Sequence, residues 1–333
     1  MGKKIFFDLS LSSSGKLACA SCHDPAHAYG PPNGLAVQPG GESMNRQGLR
    51  AVPSLRYVLN RTPVWSQNAV SSAAERLIEG DEPPTGGFGW DGRFNSLHEQ
   101  ALFPLFAENE MAAGSPATLT AKLRKAAYAR QFTDLFGRNV FDDPNRTVAM
   151  AASALERFEL TDTSFHPYDS KFDDYLNGKV QFSEKEQRGM ALFDDPKRGN
   201  CAKCHLDRKG ADGSHPLFTD YQFQVLGVPR NSEIRVNADA GYFDQGLCGP
   251  IRADQAGKSK YCGMFKTPTL RNVATRSVFF HNGQFHTLQA SLDFYVRRDT
   301  DPQRWYPARV SGGVEKFVDL PEKFRVNVDV TEE

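Results

Sequence analysis

The pentapeptide Cys19–His23, CASCH, returns 182 residues later as Cys201–His205, CAKCH (position 201 against 19). Two thiols and an imidazole at this spacing are the attachment signature of a c-type haem. The cysteines add across the vinyl groups and the histidine reaches the iron from the proximal side. The sequence thus calls for two covalently held haems on Cys19, Cys22, Cys201 and Cys204, with His23 and His205 as iron ligands. A zinc site would need a further matched pair of ligands, and no other C-x-x-C remains. A redox dithiol would leave the histidine of both copies unexplained.

The two remaining cysteines, Cys248 and Cys262, are read as a disulfide closing the loop CGPIRADQAGKSKYC. A loop of that size is worth roughly 3 kcal/mol by the chain-entropy argument. The alternative is two free thiols. Haem attachment and a disulfide both point to an oxidising compartment such as a bacterial periplasm. The opening residues MGKKIFFDLSL lack the apolar run of a signal peptide, so a mature or trimmed chain is expected. No stretch approaches the roughly 20 apolar residues of a membrane span. Forty basic residues balance 40 acidic ones, which gives no sign of nucleic acid or an anionic membrane as a partner.

A weak internal repeat precedes the two motifs. Gly2, Phe6 and Asp8 match Gly189, Phe193 and Asp195 in a G-x-x-x-F-x-D spacing. This pattern, with 333 residues of chain, predicts a mainly α protein of two tandem class-I cytochrome-c-like haem domains with long loops. The expected domains are residues 1–175 and 176–333. SEKE, from Ser183 to Glu186, reads as a capping box opening a helix. SLHEQALFPLF, ATLTAKLRKAAYARQFTDLF, DPNRTVAMAASALERFEL and TLQASLDFYVRR carry apolar residues at helical spacing. The stretch from His23 to Gly48, dense in Pro and Gly, reads as loop.

Between the haem motifs lies GWDGRFNSLHEQALFPLFAENEM. Taken alone, Trp90 would be a core tryptophan and Gln100 an exposed helical residue. With the two C-x-x-C-H motifs, WDGR, EQALFP and FKTPTLRN…FFHNGQFHTL, the chain resembles the bacterial di-haem cytochrome c peroxidase superfamily over nearly its whole length. The resemblance implies a peroxide-reactive N-terminal haem, a second haem that stores an oxidising equivalent, and a tryptophan, Trp90, between them. It places Gln100, Pro104 and Glu110 over the first haem. A carboxylate there can move a proton from the inner to the outer peroxide oxygen, and Gln100 can donate a hydrogen bond to bound oxygen. Pro104 would present a rigid apolar wall. Arg93 would pair with a haem propionate or with Asp91.

Two departures sort the branches of this family. Many members close the resting catalytic haem with a loop histidine. Here no histidine stands between His27 and His98, so an open first haem is expected. The second haem usually takes a methionine after the H-x-G…T-L segment, and that position falls on Tyr295. A tyrosine resembles the MauG-like branch, and an anionic oxygen ligand favours high-valent iron. Leu288, Leu292 and Tyr295 share one helix face; a core tyrosine is the alternative. Family members also bind calcium between the haems. Asn60, Thr275 and Ser277 are the residues here that would hold Ca2+, although the usual proline is absent and the usual asparagine position is Tyr57.

The function implied is an enzyme that reacts with hydrogen peroxide and stores two oxidising equivalents as a bis-Fe(IV) state shared through Trp90, to oxidise a protein substrate at long range. Trp305 would relay the hole, or would simply be a packed aromatic. The alternative is a peroxidase reducing H2O2 to water with electrons from a small redox protein, a cytochrome or cupredoxin. A non-enzymatic electron carrier would need two six-coordinate haems, against the missing distal ligand of the first.

Overall fold

The computed structural model describes residues 1–57, 61–67 and 84–328. The described chain is mostly helical, with short antiparallel pairs as its sheet. Strand β1 (Pro39–Gly40) pairs with β2 (Arg46–Gln47), and β3 (Phe223–Gln224) with β4 (Phe265–Lys266). The first pair falls inside the stretch expected to be loop.

In the first half, α1 (Gly2–Phe6), α2 (Cys19–Cys22), α3 (Leu97–Phe106), α4 (Pro116–Lys125), α5 (Ala129–Phe136) and α6 (Pro144–Thr161) surround one core. Helix α6 starts where the sequence says it should. Asp143 accepts from the Asn145 and Arg146 amides, and Pro144 sits in the first turn. Its buried face, Val148, Ala151, Leu155 and Phe158, packs against α1, α3 and α4. Alpha-1 approaches so closely that a Cβ on Gly2 would lie 1.9 Å from the Ala154 carbonyl oxygen, so the position admits only glycine.

The run expected as one helix over residues 117–136 is two, α4 and α5, parted at an extended Ala126. Leu123 and Phe132 are both fully buried. Nine residues apart in one straight helix, they would face opposite sides. The break lets both enter the core.

The second half is less regular. Helix α7 (Lys171–Leu176) contains the expected domain boundary at 175, and its Asp173 receives a bidentate pair from Arg271 at 2.9 Å. His215 bonds the same carboxylate. The capping box of Ser183 and Glu186 opens α8 (Glu184–Asp194), none of whose residues is buried. Helix α9 (Leu288–Arg297) begins at Thr287, whose hydroxyl accepts from the Ala290 amide. Beside α9 lies a core of Val225, Phe279, Phe285, Phe294, Phe317 and Leu320. Cys248 and Cys262 form the expected disulfide, with Cα atoms 4.8 Å apart.

The halves are tied by backbone and charge. Ala51 N–H donates to the His281 carbonyl at 2.7 Å and Lys266 N–H to the Trp90 carbonyl at 2.8 Å. Arg50 bonds Asp244 through two nitrogens at 2.6 and 2.8 Å.

Candidate active site at two histidine cradles

The first cradle is built on α2. His23 caps that helix, and its Nδ1 faces the Tyr29 carbonyl at 3.1 Å. An Nδ1–H donated there leaves Nε2 with a lone pair for a metal. Burial pulls the His23 pKa down to about 4, so the ring is neutral, as a ligand must be. Cys19 and Cys22 are unbonded thiols beside it, and burial pushes Cys22 up to about 12.

Helix α3 carries two of the residues expected over the first haem. Leu97, Ala101 and Leu105 are buried in the core, which leaves Gln100 and Pro104, one turn apart, on another face. Pro104 has no N–H, so the Gln100 carbonyl has no helical donor four residues on. The chain then turns to Glu110, whose N–H reaches the Ala107 carbonyl at 2.9 Å and whose carbonyl accepts from Gly41 at 2.8 Å. The neighbouring Gly40 is pressed there too, since a Cβ would lie 2.2 Å from the Asn109 carbonyl oxygen. Burial raises Glu110 to about 7, opposed by the nearby Arg93 cation. Its charge also acts on both Cys22 and Cys19. The expected acid/base residue and the C-x-x-C-H thiols therefore share one environment.

Neither spare histidine points there. His27 bonds Asp24 at 2.7 Å and His98 bonds Ser153 on α6 at 3.2 Å.

The second cradle repeats the histidine arrangement. His205 Nδ1 faces the Phe218 carbonyl at 2.9 Å, burial lowers its pKa, and Cys201 and Cys204 form no disulfide. Its opposite wall is α9. Ser291 and Phe294 face the core, whereas Leu288, Leu292 and Tyr295 lie on the open side. Tyr295 keeps 47% of its surface exposed, although protein surrounds it. Burial raises its pKa, and the thiols of Cys204 and Cys201 raise it further. The phenol thus shares a cleft with the second motif. Leu206, Leu288 and Leu292 expose apolar surface, the kind of lining a porphyrin plane would cover.

Trp90 lies in a turn flanked by Gly89 and Gly92, both at positive φ. Its indole N–H donates to the Ala51 carbonyl at 2.7 Å. Asp91 is fully buried and accepts from Arg50 at 2.8 Å and Arg93 at 3.1 Å, while Arg252 donates to its carbonyl at 2.6 Å. Arg93 also lies over the rings of Phe94 and Phe103. Lys266 donates to the Gly87 carbonyl. Burial pulls its pKa down to about 8, with Asp91 opposing.

These donors fit two c-type haems. Each cradle has two thiols outside any disulfide and a buried imidazole whose Nδ1 faces a backbone carbonyl. Arg93 and Lys266 supply cations near the bridge. Calcium fits less well. The backbone carbonyls expected to hold it belong to Thr275 and Ser277, which are exposed and flank the cation of Arg276, and Asn60 lies outside the described residues. Among the described residues no three His, Cys, Asp or Glu side chains gather as a metal site. Trp305 packs edge-on against Phe285 and Phe294 at 5.5 and 5.7 Å.

The sequence reading missed the charged residues around the bridge, namely Arg50, Asp244, Arg252, Lys266 and Arg276. No local signal separates a buried lysine or arginine from an exposed one. It also passed over Glu159, a buried carboxyl near Cys19 raised to about 8 by burial and Glu156.

Comparison with known proteins agrees with this arrangement. The family model for di-haem cytochrome c peroxidase matches residues 1–181, and the chain belongs to that family of haem-iron oxidoreductases. It is 35% identical over 302 residues to the methylamine utilization protein MauG of Paracoccus denitrificans (strain Pd 1222), covering 89% of this chain and 73% of that one. It is 30% identical to the cytochrome-c peroxidase IdrP1 of Pseudomonas sp. (strain SCT), covering 89% and 71%. Among solved structures, the diheme peroxidase BthA from Burkholderia thailandensis E264 superposes with a TM-score of 0.85 at 36% identity, covering 98% and 77%. Among the described residues no helix is long and apolar enough to cross a membrane.

Proposed function

We propose that this chain is a periplasmic di-haem enzyme of the MauG-like kind. It reacts with hydrogen peroxide at the His23 site, spreads two oxidising equivalents over both sites through Trp90, and oxidises a protein substrate at long range. The carrying observation is the asymmetry of the two cradles. One opposes its imidazole with a carboxyl raised to about 7, the other with a phenol. In this reading the chain forms two tandem class-I cytochrome-c-like domains, 1–175 and 176–333. Cys19, Cys22, Cys201 and Cys204 make the thioethers, and His23, His205 and Tyr295 ligate iron.

Bound haem supplies the redox chemistry. The protein supplies the proton handling. With haem bound, the Glu110 carboxylate would accept a proton from hydrogen peroxide and return it to the departing oxygen, which would leave as water. The Gln100 amide would donate a hydrogen bond to the peroxide, and Pro104 would keep the wall apolar. Arg93 and Lys266 would take propionates, which hold their charge in a buried place. The Tyr295 oxygen favours the oxidised states of the second site.

A second reading is reduction of peroxide to water with electrons from a small cytochrome or cupredoxin. The similarity to a protein named cytochrome-c peroxidase favours it. Steady-state peroxide consumption with a reduced small cytochrome separates the two. Rapid reaction with peroxide but slow turnover of the cytochrome is expected; fast multiple turnover would establish the second reading instead.

A further inference from the structure

The place expected to hold calcium contains a side chain with a positive charge of its own. Arg276 stands between Thr275 and Ser277 and reaches back into the first half. Its Nη2 donates to the Val52 carbonyl at 2.9 Å and its Nε to the Val278 carbonyl at 3.2 Å. Its Nη1 lies 3.5 Å from where a Cβ on Gly30 would sit, one residue past the carbonyl that accepts from His23.

The strand it grips is informative. The Ala51 carbonyl takes the Trp90 indole N–H at 2.7 Å. The Val52 carbonyl takes Arg276. The Pro53 carbonyl is a backbone partner of His23, and the Arg276 charge itself acts on that imidazole. Three consecutive peptide groups thus connect the bridging tryptophan, the guanidinium and the proximal histidine of the first cradle.

Calcium takes six to eight oxygens, carboxylates usually among them. Here the Val52 and Val278 carbonyls are occupied by N–H donors of Arg276 itself. An arginine guanidinium stays protonated throughout the neutral range, and a divalent cation beside it would be repelled.

We propose that Arg276 is a built-in cation that takes the place of calcium between the two cradles, so that the holoprotein neither holds nor needs the metal. Arg276 acts as a positioning residue. It fixes the Ala51–Pro53 strand under Trp90, and its charge raises the potential of the first haem by disfavouring ferric iron beside it.

The inference rests on His23 being an iron ligand. Two haems per chain in a pyridine haemochrome assay check that reading first, independently of calcium. Metal analysis of the holoprotein is then expected to find far less than one calcium per chain. Dialysis against EGTA, and calcium added back, should leave the ferric EPR signals and both midpoint potentials unchanged. Arg276→Gln should shift the first-haem potential downward and leave the second nearly in place. Arg276→Lys should restore most of that shift, because it keeps the charge while losing the fork. Stoichiometric calcium whose removal alters the EPR signals would overturn the proposal. So would an unshifted first-haem potential in Arg276→Gln. If that variant does not fold, the metal analysis and the Arg276→Lys potential decide.

Discussion

The two C-x-x-C-H cradles use the same device on the proximal side and opposite devices on the distal side. His23 and His205 each direct Nδ1 at a backbone carbonyl, of Tyr29 and Phe218. The first cradle's thiols lie near the buried carboxyl of Glu110, and His27 and His98 are bonded elsewhere. Across from His205 lies α9 with Tyr295. Their packing differs as well. Helix α1 before the first motif is driven into the core at Gly2, Ile5 and Phe6, whereas α8 before the second has no buried residue. The attachment motif fixes where a haem is held. The opposing wall, which comes from a distant part of the chain, decides whether that haem is left open for a substrate or closed by a side chain.

The sharpest way to break this contrast is Glu110→Gln. It removes the proton carrier from the first cradle alone. The second-order rate of reaction with peroxide should fall about 10²–10⁴-fold in stopped-flow absorbance, with the ferric EPR signal of the second site unchanged. An equal loss at both sites would show that the cradles do not divide the work.

Asp173→Asn tests the second half's dependence on ion pairs. Burial raises this carboxyl, but Arg271, with Ser170 and His215, more than offsets it and holds it well below the usual range. Removing one partner of such a buried pair costs about 3–5 kcal/mol, which a urea titration would read. The sign for pH follows. The contribution of a depressed carboxylate is present above its unfolded value, near 3.9, and is lost as pH falls below it. Acid unfolding should thus be less steep in the variant than in the native protein.

The pH dependence of the first cradle has the same sign but falls near neutrality, because burial raises Glu110. The carboxylate is the proton-accepting form of Glu110, so the peroxide rate should rise with pH through about 7, about tenfold per unit below it, and then level off. The Glu110→Gln variant should show no such rise.

The smallest effect concerns the bridge. Trp90→Phe loses one hydrogen bond to Ala51 and should cost about 1 kcal/mol of stability. Its larger signature is kinetic, a slower spread of oxidation from the first site to the second after peroxide is added. Unchanged kinetics would remove Trp90 from the path.

What was legible in the sequence was what a local pattern or a covalent constraint specifies. The paired C-x-x-C-H motifs follow from spacing, the disulfide from counting thiols, α3, α6 and α9 from apolar periodicity, and α8 from the Ser183–Glu186 capping box. Tyr295 came from the family resemblance, and helical periodicity grouped it with Leu288 and Leu292; that face was expected to turn inward, but Ser291 and Phe294 take the core and leave it half-exposed. The break at Ala126 was not, since only the shape of the core requires Leu123 and Phe132 to point the same way. The buried charges were not either. Arg50 meets Asp244 across 194 residues, Arg252 meets Asp91 across 161, and Arg276 meets Val52 across 224. Such contacts exist only once the halves are packed.

The most direct test is to add stoichiometric hydrogen peroxide to the fully ferric holoprotein, without prior reduction, and record EPR and near-infrared spectra. The account predicts that both ferric signals disappear together and a near-infrared band grows in, because the first site is open and Tyr295 lets the second share the oxidation through Trp90. A protein that stays unchanged until one haem is reduced would contradict both the open first cradle and the tyrosine-ligated second.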